Sequence, residues 1–215
     1  MSEPISRRSF LKKGLLIGAA SGIVLCGGTS LVATHRPPLE KPTFSSTESN
    51  GLNRILIAYA TKAGTAAGIA THIGELFANQ GLPVDVLPVE QVTDLSAYAT
   101  VIVGSGIYIG KIIPKAMDFI EKNQSALQNK VFHLFVACMT LREDTDENRK
   151  VVSDYLIPAR EVVKPQSEGL FAGMINLSHL NLLEKLMVSS MQVPEGDYRN
   201  WPQIEAWAQA IPTAL

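Results

Sequence analysis

The sequence predicts an α/β domain in which helices cover both faces of a five-stranded parallel sheet. Apolar runs with the length of strands alternate with segments of helical periodicity over most of residues 53–215. Such alternation is typical of doubly wound sheets with right-handed crossovers. The first strand passes through a short glycine-containing loop into its helix, and paired arginines precede an apolar stretch near the N-terminus. These observations divide the chain into 1–35, 36–52 and 53–215.

Residues 1–35 have the pattern of an export signal. Ser6-Arg7-Arg8-Ser9-Phe10-Leu11-Lys12 matches the twin-arginine pattern S-R-R-x-F-L-K at every specified position. Residues 14–33, which follow, are apolar and uncharged, and about twenty such residues just span a bilayer. The sequence therefore predicts export by the twin-arginine translocase to a periplasmic or other extracytoplasmic location. It leaves open whether the segment is cleaved or stays as a membrane anchor.

Residues 36–52 are predicted to be a flexible linker. Residues 37–51 are rich in proline, serine and threonine and contain little that a core would bury. Such a composition is typical of a tether between two parts of a chain.

The elements of the domain follow from hydrophobic period and from turn residues. The first helix is placed between a small-residue loop and Gly81, and a short helical turn is expected within 92–98. Predicted strands are 55–59, 84–87, 100–104, 130–138 and 170–175; predicted further helices are 113–127, 142–160, 180–191 (a helix or a lid) and 201–215.

The loop after the first strand has the composition of an anion site. It reads Thr61-Lys62-Ala63-Gly64-Thr65-Ala66 and leads directly into an amphipathic helix. A strand that turns into a helix in this way presents free N–H groups at the positive end of the helix dipole, where phosphates bind. The hydroxyls of Thr61 and Thr65 add two donors, and Gly64 allows close approach of the backbone. The loop alone fits an ordinary turn without ligand equally well.

The same loop resembles the phosphate loop of flavodoxins, T-x-T-G-x-T. Thr61 and Gly64 match that motif, whereas Ala63 and Ala66 stand where the family usually has threonine. The resemblance implies a flavodoxin-like sheet of order 2-1-3-4-5 that binds FMN. The two alanines leave open a flavodoxin-like binding domain that has lost FMN.

The resemblance also assigns the loops after the third and fourth strands to the flavin. Ligands of such sheets lie at the carboxyl ends of the strands, near the point where the strand order reverses. The third-strand loop would flank the isoalloxazine ring, and the fourth-strand loop would lie along the other side. Tyr108 is the one aromatic available to stack on the ring, and a half-exposed tyrosine that packs on its own loop fits the sequence equally well. Cys138 is interpreted as a small buried residue rather than a reactive thiol. The residues so assigned are Ser105, Gly106, Ile107 and Tyr108 in one loop and Cys138, Met139 and Thr140 in the other.

Other classes of function find no support in the sequence. The net charge is −1, so no basic field favours nucleic acid. The four histidines show no metal-ligand spacing, and neither a Ser-His-Asp signature nor a Cys-x-x-Cys pair occurs. We therefore predict no metal and no catalytic side chain, and we assign the chemistry to a bound cofactor.

A second resemblance is found towards the C-terminus. The segment from Asp197 to Trp201 reads D-Y-R-N-W and resembles the Asp-Tyr-x-x-Trp segment before the last helix of menaquinone-dependent protoporphyrinogen dehydrogenases. Their G-A-S-I-R-Y-G loop is similar to residues 104–110, although Tyr108 replaces the basic residue and Ile109 the aromatic one. That family implies FMN and quinone-linked electron transfer, and the apolar residues 182–188 would then be core or a surface for a quinone or a membrane.

These resemblances imply an exported FMN protein that acts in electron transfer or in quinone-linked oxidoreduction. Its partner would be a quinone or a redox protein, and whether it is an enzyme or a carrier stays open. A protoporphyrinogen dehydrogenase-like enzyme is the alternative, disfavoured by the export signal and by the missing basic residue. Asp197 and Arg199 are expected to pair, and Trp201 to dock the last helix.

Overall fold

The computed structural model describes residues 41–46, 54–190 and 194–213. Nine strands lie in these ranges, seven of them in one main sheet and two in a separate antiparallel pair. The strands are β1 (Phe44–Ser45), β2 (Arg54–Ala60), β3 (Val84–Pro88), β4 (Tyr98–Tyr108), β5 (Lys111–Ile112), β6 (Val131–Ala137), β7 (Ser167–Phe171), β8 (Met174–Ile175) and β9 (Gly196–Asp197).

The main sheet has the order β1-β3-β2-β4-β6-β7, and β5 pairs with β4 outside this path. The pairs among β3, β2, β4, β6 and β7 are parallel, whereas β1 and β5 run antiparallel to their partners. Counted along the chain, the five parallel strands have the order 2-1-3-4-5. The predicted flavodoxin-like topology is confirmed.

Seven α-helices surround this sheet in the described ranges. The helices are α1 (Thr65–Asn79), α2 (Pro114–Lys122), α3 (Gln124–Leu127), α4 (Asp146–Asp154), α5 (Ile157–Val162), α6 (Leu182–Ser190) and α7 (Trp201–Ala210). One face of the sheet packs mainly against α2, α4 and α5, and the other against α1 and α7.

The central strand β2 is apolar throughout because both of its faces are covered. Ile55 and Ile57 point into the core beneath α1, while Leu56 and Ala58 belong to the core on the opposite face. All four side chains are fully buried. A strand buried on both faces reads as a continuous apolar run, which is why this strand was predicted within one residue at each end.

The third predicted strand was wrong at its carboxyl end. We expected a loop after Gly104, but β4 continues to Tyr108 and turns back into β5 through Ile109 and Gly110. Both turn residues have positive φ, 51° and 70°, which is typical of a two-residue hairpin turn. Isoleucine rarely adopts this conformation, so the sequence carries no signal for the hairpin.

Several other boundaries differ from the prediction. The helix expected over 142–160 is divided, because Pro158 occupies the first turn of α5 and lacks the N–H that a continuous helix would use. The helix expected over 113–127 divides at Asn123. Of the strand expected over 170–175, Met174 and Ile175 pair with β9 rather than with the main sheet. A 3₁₀ turn at Val89–Gln91 replaces the turn expected within 92–98.

Part of the predicted linker joins the sheet. Phe44 and Ser45 form β1 against Val86 and Asp85, and the Ser45 hydroxyl donates to the Asp85 carboxylate, which also pairs with Arg54 at 2.6 Å. Composition did not reveal this strand because the contacts depend on residues far along the chain. The predicted export signal lies outside the described residues, and within them no helix is long and apolar enough to cross a membrane.

His133 is fully buried in the centre of β6. Its Nε2–H donates to the carbonyl of Pro212 at 3.0 Å, and Nδ1 has no hydrogen-bond partner among the described residues. The Trp207 ring meets it edge-on, with 6.4 Å between the ring centroids. Burial lowers the pKa of His133 from its ordinary value of 6.5, and the Pro212 hydrogen bond opposes that change only in part.

This environment predicts a loss of stability on mild acidification. The unfolded chain takes up a proton near pH 6.5, whereas the folded chain resists protonation of His133, so the free energy of unfolding falls as the pH drops below 6.5. Urea unfolding of wild type and His133→Leu at pH 7.5 and 5.5 measures this term. The stability of wild type relative to the variant should decrease at pH 5.5; a difference that does not change with pH would contradict the assignment.

Candidate functional site at the carboxyl ends of the strands

The loop between β2 and α1 is shaped by Thr61 and Gly64. The Gly64 N–H donates to Thr61 Oγ1 at 2.9 Å, which closes the turn. Gly64 has φ 90°, a left-handed conformation that a side chain would strain by roughly 1–2 kcal/mol. Its carbonyl then accepts the first hydrogen bond of α1, from Gly68 N–H at 2.9 Å. The glycine thus lets the chain change direction directly into a helix.

Among the residues that the structure describes, none provides a side-chain cap for the N-terminus of α1. Gly64 is the N-cap residue, and the first turn contains no acidic residue. The N–H groups of Thr65, Ala66 and Ala67 have no acceptor within the helix because no turn precedes them. With the positive end of the helix dipole, they form a set of donors suited to an anion.

The two threonine hydroxyls of the loop are placed differently. Thr61 Oγ1 accepts one hydrogen bond and keeps its own proton for donation. The Thr65 hydroxyl points towards the carbonyl of Met174, at a long 3.5 Å. The side chain of Ala66 is fully buried, so this residue can contribute only its backbone.

A lysine side chain connects the first loop to the β4–β5 hairpin. The Lys62 ammonium is 3.1 Å from the centroid of the Tyr108 ring, well within the range of a cation–π contact. Both side chains are half-buried. The contact brings together the residue predicted to stack on a flavin and a basic residue of the predicted phosphate loop.

Ser105, Gly106 and Ile107 belong to the strand rather than to a free loop. The Ser105 side chain is fully buried, donates to the Gly106 carbonyl at 2.8 Å and accepts from Ile113 N–H at 3.1 Å. Ile107 pairs with Ile112 in the hairpin. Of the four residues predicted in this segment, Tyr108 has the aromatic side chain beside the first loop.

The end of β6 lies beside the end of β4, on the side away from β2. Cys138 is buried with its thiol 3.4 Å from Thr140 Oγ1, and burial raises the pKa of the thiol. This agrees with its interpretation as a small buried residue. Met139 and Thr140 are half-buried and begin a 3₁₀ turn. The Met139 sulfur lies 3.3 Å from the position that a Cβ on Gly173 would occupy.

The segment after β7 also contacts the first loop, and its residues were not among those predicted for the site. A Cβ on Gly173 would lie 3.6 Å from Thr65 Cγ2, so this glycine permits close approach. His179 Nδ1–H donates to the Ala63 carbonyl at 3.1 Å. Ligands of parallel sheets lie at the carboxyl ends of the strands, and the fifth parallel strand ends at the same edge of the sheet as the others. Applied to this strand, that rule would have placed Gly173 and His179 near the site.

The predicted pairing of Asp197 and Arg199 is confirmed. The two side chains form an ion pair at 2.6 Å, and the guanidinium carbon lies 4.3 Å from the centroid of the Trp201 ring. A Cβ on Gly68 would come within 2.4 Å of the Arg199 Nη1, so this helical position favours glycine. The ring of Trp201 in turn packs on the ring of His72, with 4.7 Å between the two ring centroids, and this contact docks α7 on α1.

The donors fit an anionic phosphate with a planar ring beside it. An uncapped helix N-terminus, the Thr61 hydroxyl and the Lys62 ammonium lie in one loop, next to the ring of Tyr108. In the part of the chain that the structure describes, no group of histidine, cysteine and acidic residues is arranged to hold a metal ion.

Fold and site together define a doubly wound α/β domain with an anion-type loop at the switch point of its sheet. Residues 56–200 match the flavodoxin domain family, and the chain belongs to that family. A search of curated protein sequences finds no match to the chain.

The solved structures that resemble the chain include flavodoxins of low sequence identity. A Fusobacterium nucleatum flavodoxin bound to flavin mononucleotide is 16% identical, with a TM-score of 0.45, 74% of this chain covered and 96% of that one. A two-electron reduced flavodoxin from Megasphaera elsdenii is 13% identical, with a TM-score of 0.45 and coverages of 73% and 99%. A short-chain flavodoxin associated with a bacterial microcompartment is 15% identical, with a TM-score of 0.48 and coverages of 74% and 96%.

Proposed function

We propose that this protein binds FMN at the carboxyl edge of its sheet and acts in electron transfer. The observation that carries the proposal is the uncapped N-terminus of α1 behind the Thr61–Gly64 turn, in a chain of the flavodoxin family. FMN, when bound, supplies one- and two-electron redox chemistry. The protein then has to bind the phosphate, hold the ring and limit its contact with water.

The phosphate is assigned to the first turn of α1. The backbone N–H groups of Thr65, Ala66 and Ala67 and the hydroxyl of Thr61 are the donors, and Lys62 supplies a positive charge. Because Ala63 and Ala66 lack hydroxyls, the backbone carries more of the binding than in a loop with threonine at those positions. Tyr108 at the end of β4 and Met139 after β6 are assigned to the ring.

The exposed apolar face of α6 favours the proposal that the partner is a quinone or a similarly apolar molecule. Leu182, Leu183 and Leu186 have exposed fractions of 51%, 49% and 61% and, at helical spacings of three and four residues, share one face. The helix begins with a reciprocal cap between Asn181 and Glu184. His179, three residues before the helix, donates a hydrogen bond to the Ala63 carbonyl, so the segment that leads into α6 contacts the loop of the proposed cofactor site.

Export through the twin-arginine translocase belongs to the same proposal. Its support is the S-R-R-x-F-L-K pattern and the apolar residues 14–33. An extracytoplasmic flavoprotein attached to or close to a membrane would have access to the quinone pool.

The competing function is a flavodoxin-like binding domain without FMN, which the alanines at positions 63 and 66 favour. The sequence disfavours a protoporphyrinogen dehydrogenase-like activity, because Tyr108 stands where that family has a basic residue.

FMN binding should depend on the Thr61 hydroxyl. In Thr61→Val the Gly64 N–H loses its acceptor and the phosphate loses a donor, so the Kd for FMN should rise by about tenfold, the equivalent of one charge-assisted hydrogen bond. Quenching of FMN fluorescence by the full chain in mild detergent measures the Kd.

Thr71→Val is the matched control for this experiment. The Thr71 hydroxyl is buried on α1 and has no hydrogen-bond partner in the described part of the chain, so its removal should leave FMN affinity unchanged. An equal effect of the two substitutions would place the phosphate elsewhere. No quenching of FMN by the wild-type chain would favour the domain that has lost FMN.

Electron transfer to a quinone should depend on the exposed face of α6. Replacing Leu183 and Leu186 by serine should raise the KM for a menaquinone analogue by about tenfold, because burial of apolar surface of this size contributes more than 1.4 kcal/mol. The measurement is the rate at which the dithionite-reduced FMN-loaded protein is reoxidised. Ile157→Ser removes another exposed apolar side chain, 45% accessible, and should leave the KM unchanged. Equal KM values for all three proteins would exclude this face as the quinone contact.

A further inference from the structure

The chain joins the domain through β1, which runs antiparallel to β3 at the edge of the main sheet. Phe44 lies opposite Val86 in this pair, so residues 41–43 run towards the carboxyl end of β3. Because β3 is parallel to β2, that end belongs to the edge of the sheet that carries the proposed cofactor site. The residues before 41 therefore leave the domain at the carboxyl edge, whereas β2 begins at the opposite edge with Arg54.

The first residues of this segment are fixed at the carboxyl edge. The Tyr59 hydroxyl donates to the Pro42 carbonyl at 2.8 Å. Glu90, which follows β3, accepts hydrogen bonds from the ammonium groups of Lys41 at 2.7 Å and of Lys115 on α2 at 2.6 Å. Burial raises the pKa of Glu90, but the hydrogen bonds from the two lysines outweigh this effect and lower the pKa to about 2. A charged carboxylate between two ammonium groups thus holds the point where the chain enters.

The rest of the segment is held along the sheet. The Ser46 N–H donates to the Val84 carbonyl at 2.9 Å, and the Ser46 hydroxyl donates to the Leu82 carbonyl at 3.0 Å. Phe44 packs on the core beside α1, where a Cβ on Gly74 would lie 3.7 Å from its ring. Residues 41–46, here called the strap, are therefore bound to the domain at both ends and in the middle.

The connection between the strap and the apolar segment near the N-terminus is short. Seven residues, 34–40, separate residue 33 from the strap, and they span at most about 25 Å when fully extended. A domain of the size of residues 53–215 has a radius of gyration of roughly 15 Å and a diameter of about 40 Å. With residues 14–33 in a bilayer, this connection keeps the carboxyl edge closer to the membrane than the amino edge.

Exposed apolar side chains lie towards the same edge. Ile109, in the turn between β4 and β5, is 69% exposed and lies beyond the last parallel pair of β4. Leu182, which is 51% exposed, begins α6 three residues after His179, and His179 donates to the Ala63 carbonyl at the end of β2. Apolar side chains of this kind insert into the interface of a bilayer.

We propose that the strap holds the carboxyl edge of the sheet against a lipid bilayer in which residues 14–33 stay inserted, so that the cofactor site reacts with quinone in the membrane. The choice of quinone rests on the proposed function, whereas the orientation does not. Without the strap, the first residue held by the sheet would be Arg54 at the amino edge, after a connection of twenty residues, 34–53.

The orientation can be measured without any flavin. Ile109→Cys marks the carboxyl edge and Gln128→Cys, just before β6, marks the amino edge. Each is made in a Cys26→Ser chain and labelled with a thiol-reactive fluorophore, from which Cys138 is protected by burial. The full chain is reconstituted into phosphatidylcholine and phosphatidylglycerol vesicles with nitroxide-labelled headgroups. The nitroxide should quench the label at 109 and leave the label at 128 bright. Equal quenching, stronger quenching at 128, or a chain that does not stay with the vesicles would overturn the inference.

Two insertions test whether the strap sets the distance to the membrane. Thirteen glycine and serine residues between positions 40 and 41 lengthen the connection from seven to twenty residues. Because effective concentration falls with roughly the −3/2 power of linker length, reoxidation by a long-tailed quinone in the bilayer should slow about fivefold. The same insertion between positions 50 and 51 lies after the strap and should leave the rate as in wild type. The measured step is reoxidation of the dithionite-reduced, FMN-loaded chain, in which two electrons and two protons pass to the quinone.

A tail-free, water-soluble quinone is the control and should reoxidise wild type and both insertion variants at the same rate. Equal slowing by the two insertions with the bilayer quinone would show that the strap does not hold the chain, and equal rates for all three proteins would show that the distance has no effect. Either result contradicts the inference. A wild-type chain that takes up no FMN refutes the proposed function instead, while the quenching at 109 and 128 still decides the orientation.

Discussion

The turn at Gly64 is the constraint on which the site depends. Its left-handed backbone, closed by the hydrogen bond from Gly64 N–H to Thr61, starts α1 without a side-chain cap. A serine or aspartate at this position would bond the N–H groups of the first turn itself. With glycine here, these N–H groups stay available to an external anion. Three other segments contact the same loop: Tyr108 contacts Lys62, Gly173 lies close to Thr65, and His179 donates a hydrogen bond to the Ala63 carbonyl.

Much of the architecture was predictable because it depends on burial. Strands covered on both faces must be apolar over their whole length, so β2 and β6 were placed within a residue or so of their ends. The order of the five parallel strands followed from the family resemblance carried by the first loop, and the structure confirms it. The anion loop was predictable for a related reason: a strand that leads through a small-residue turn into a helix has one arrangement of free N–H groups.

The features that were missed depend on contacts between distant residues or on an unusual conformation. Ile109 adopts a positive φ that isoleucine rarely takes, so nothing in the sequence indicated the β4–β5 hairpin. The strand at Phe44 exists because of its partners at Asp85 and Val86. Likewise, the cation–π contact between Lys62 and Tyr108 connects residues that the chain separates by a helix and two strands. The sequence pattern predicted that both residues belong to the site, but it did not predict that they contact each other.

A phosphate bound at the N-terminus of α1 is the central element of the proposed site. Amide chemical shifts of the ¹⁵N-labelled full chain in detergent micelles, recorded with FMN and with riboflavin, test this directly. Hydrogen bonding to a phosphate should move the Thr65, Ala66 and Ala67 resonances downfield with FMN and leave them nearly unchanged with riboflavin. Shifts of equal size with both flavins, or shifts with FMN that are confined to other parts of the chain, would contradict the account.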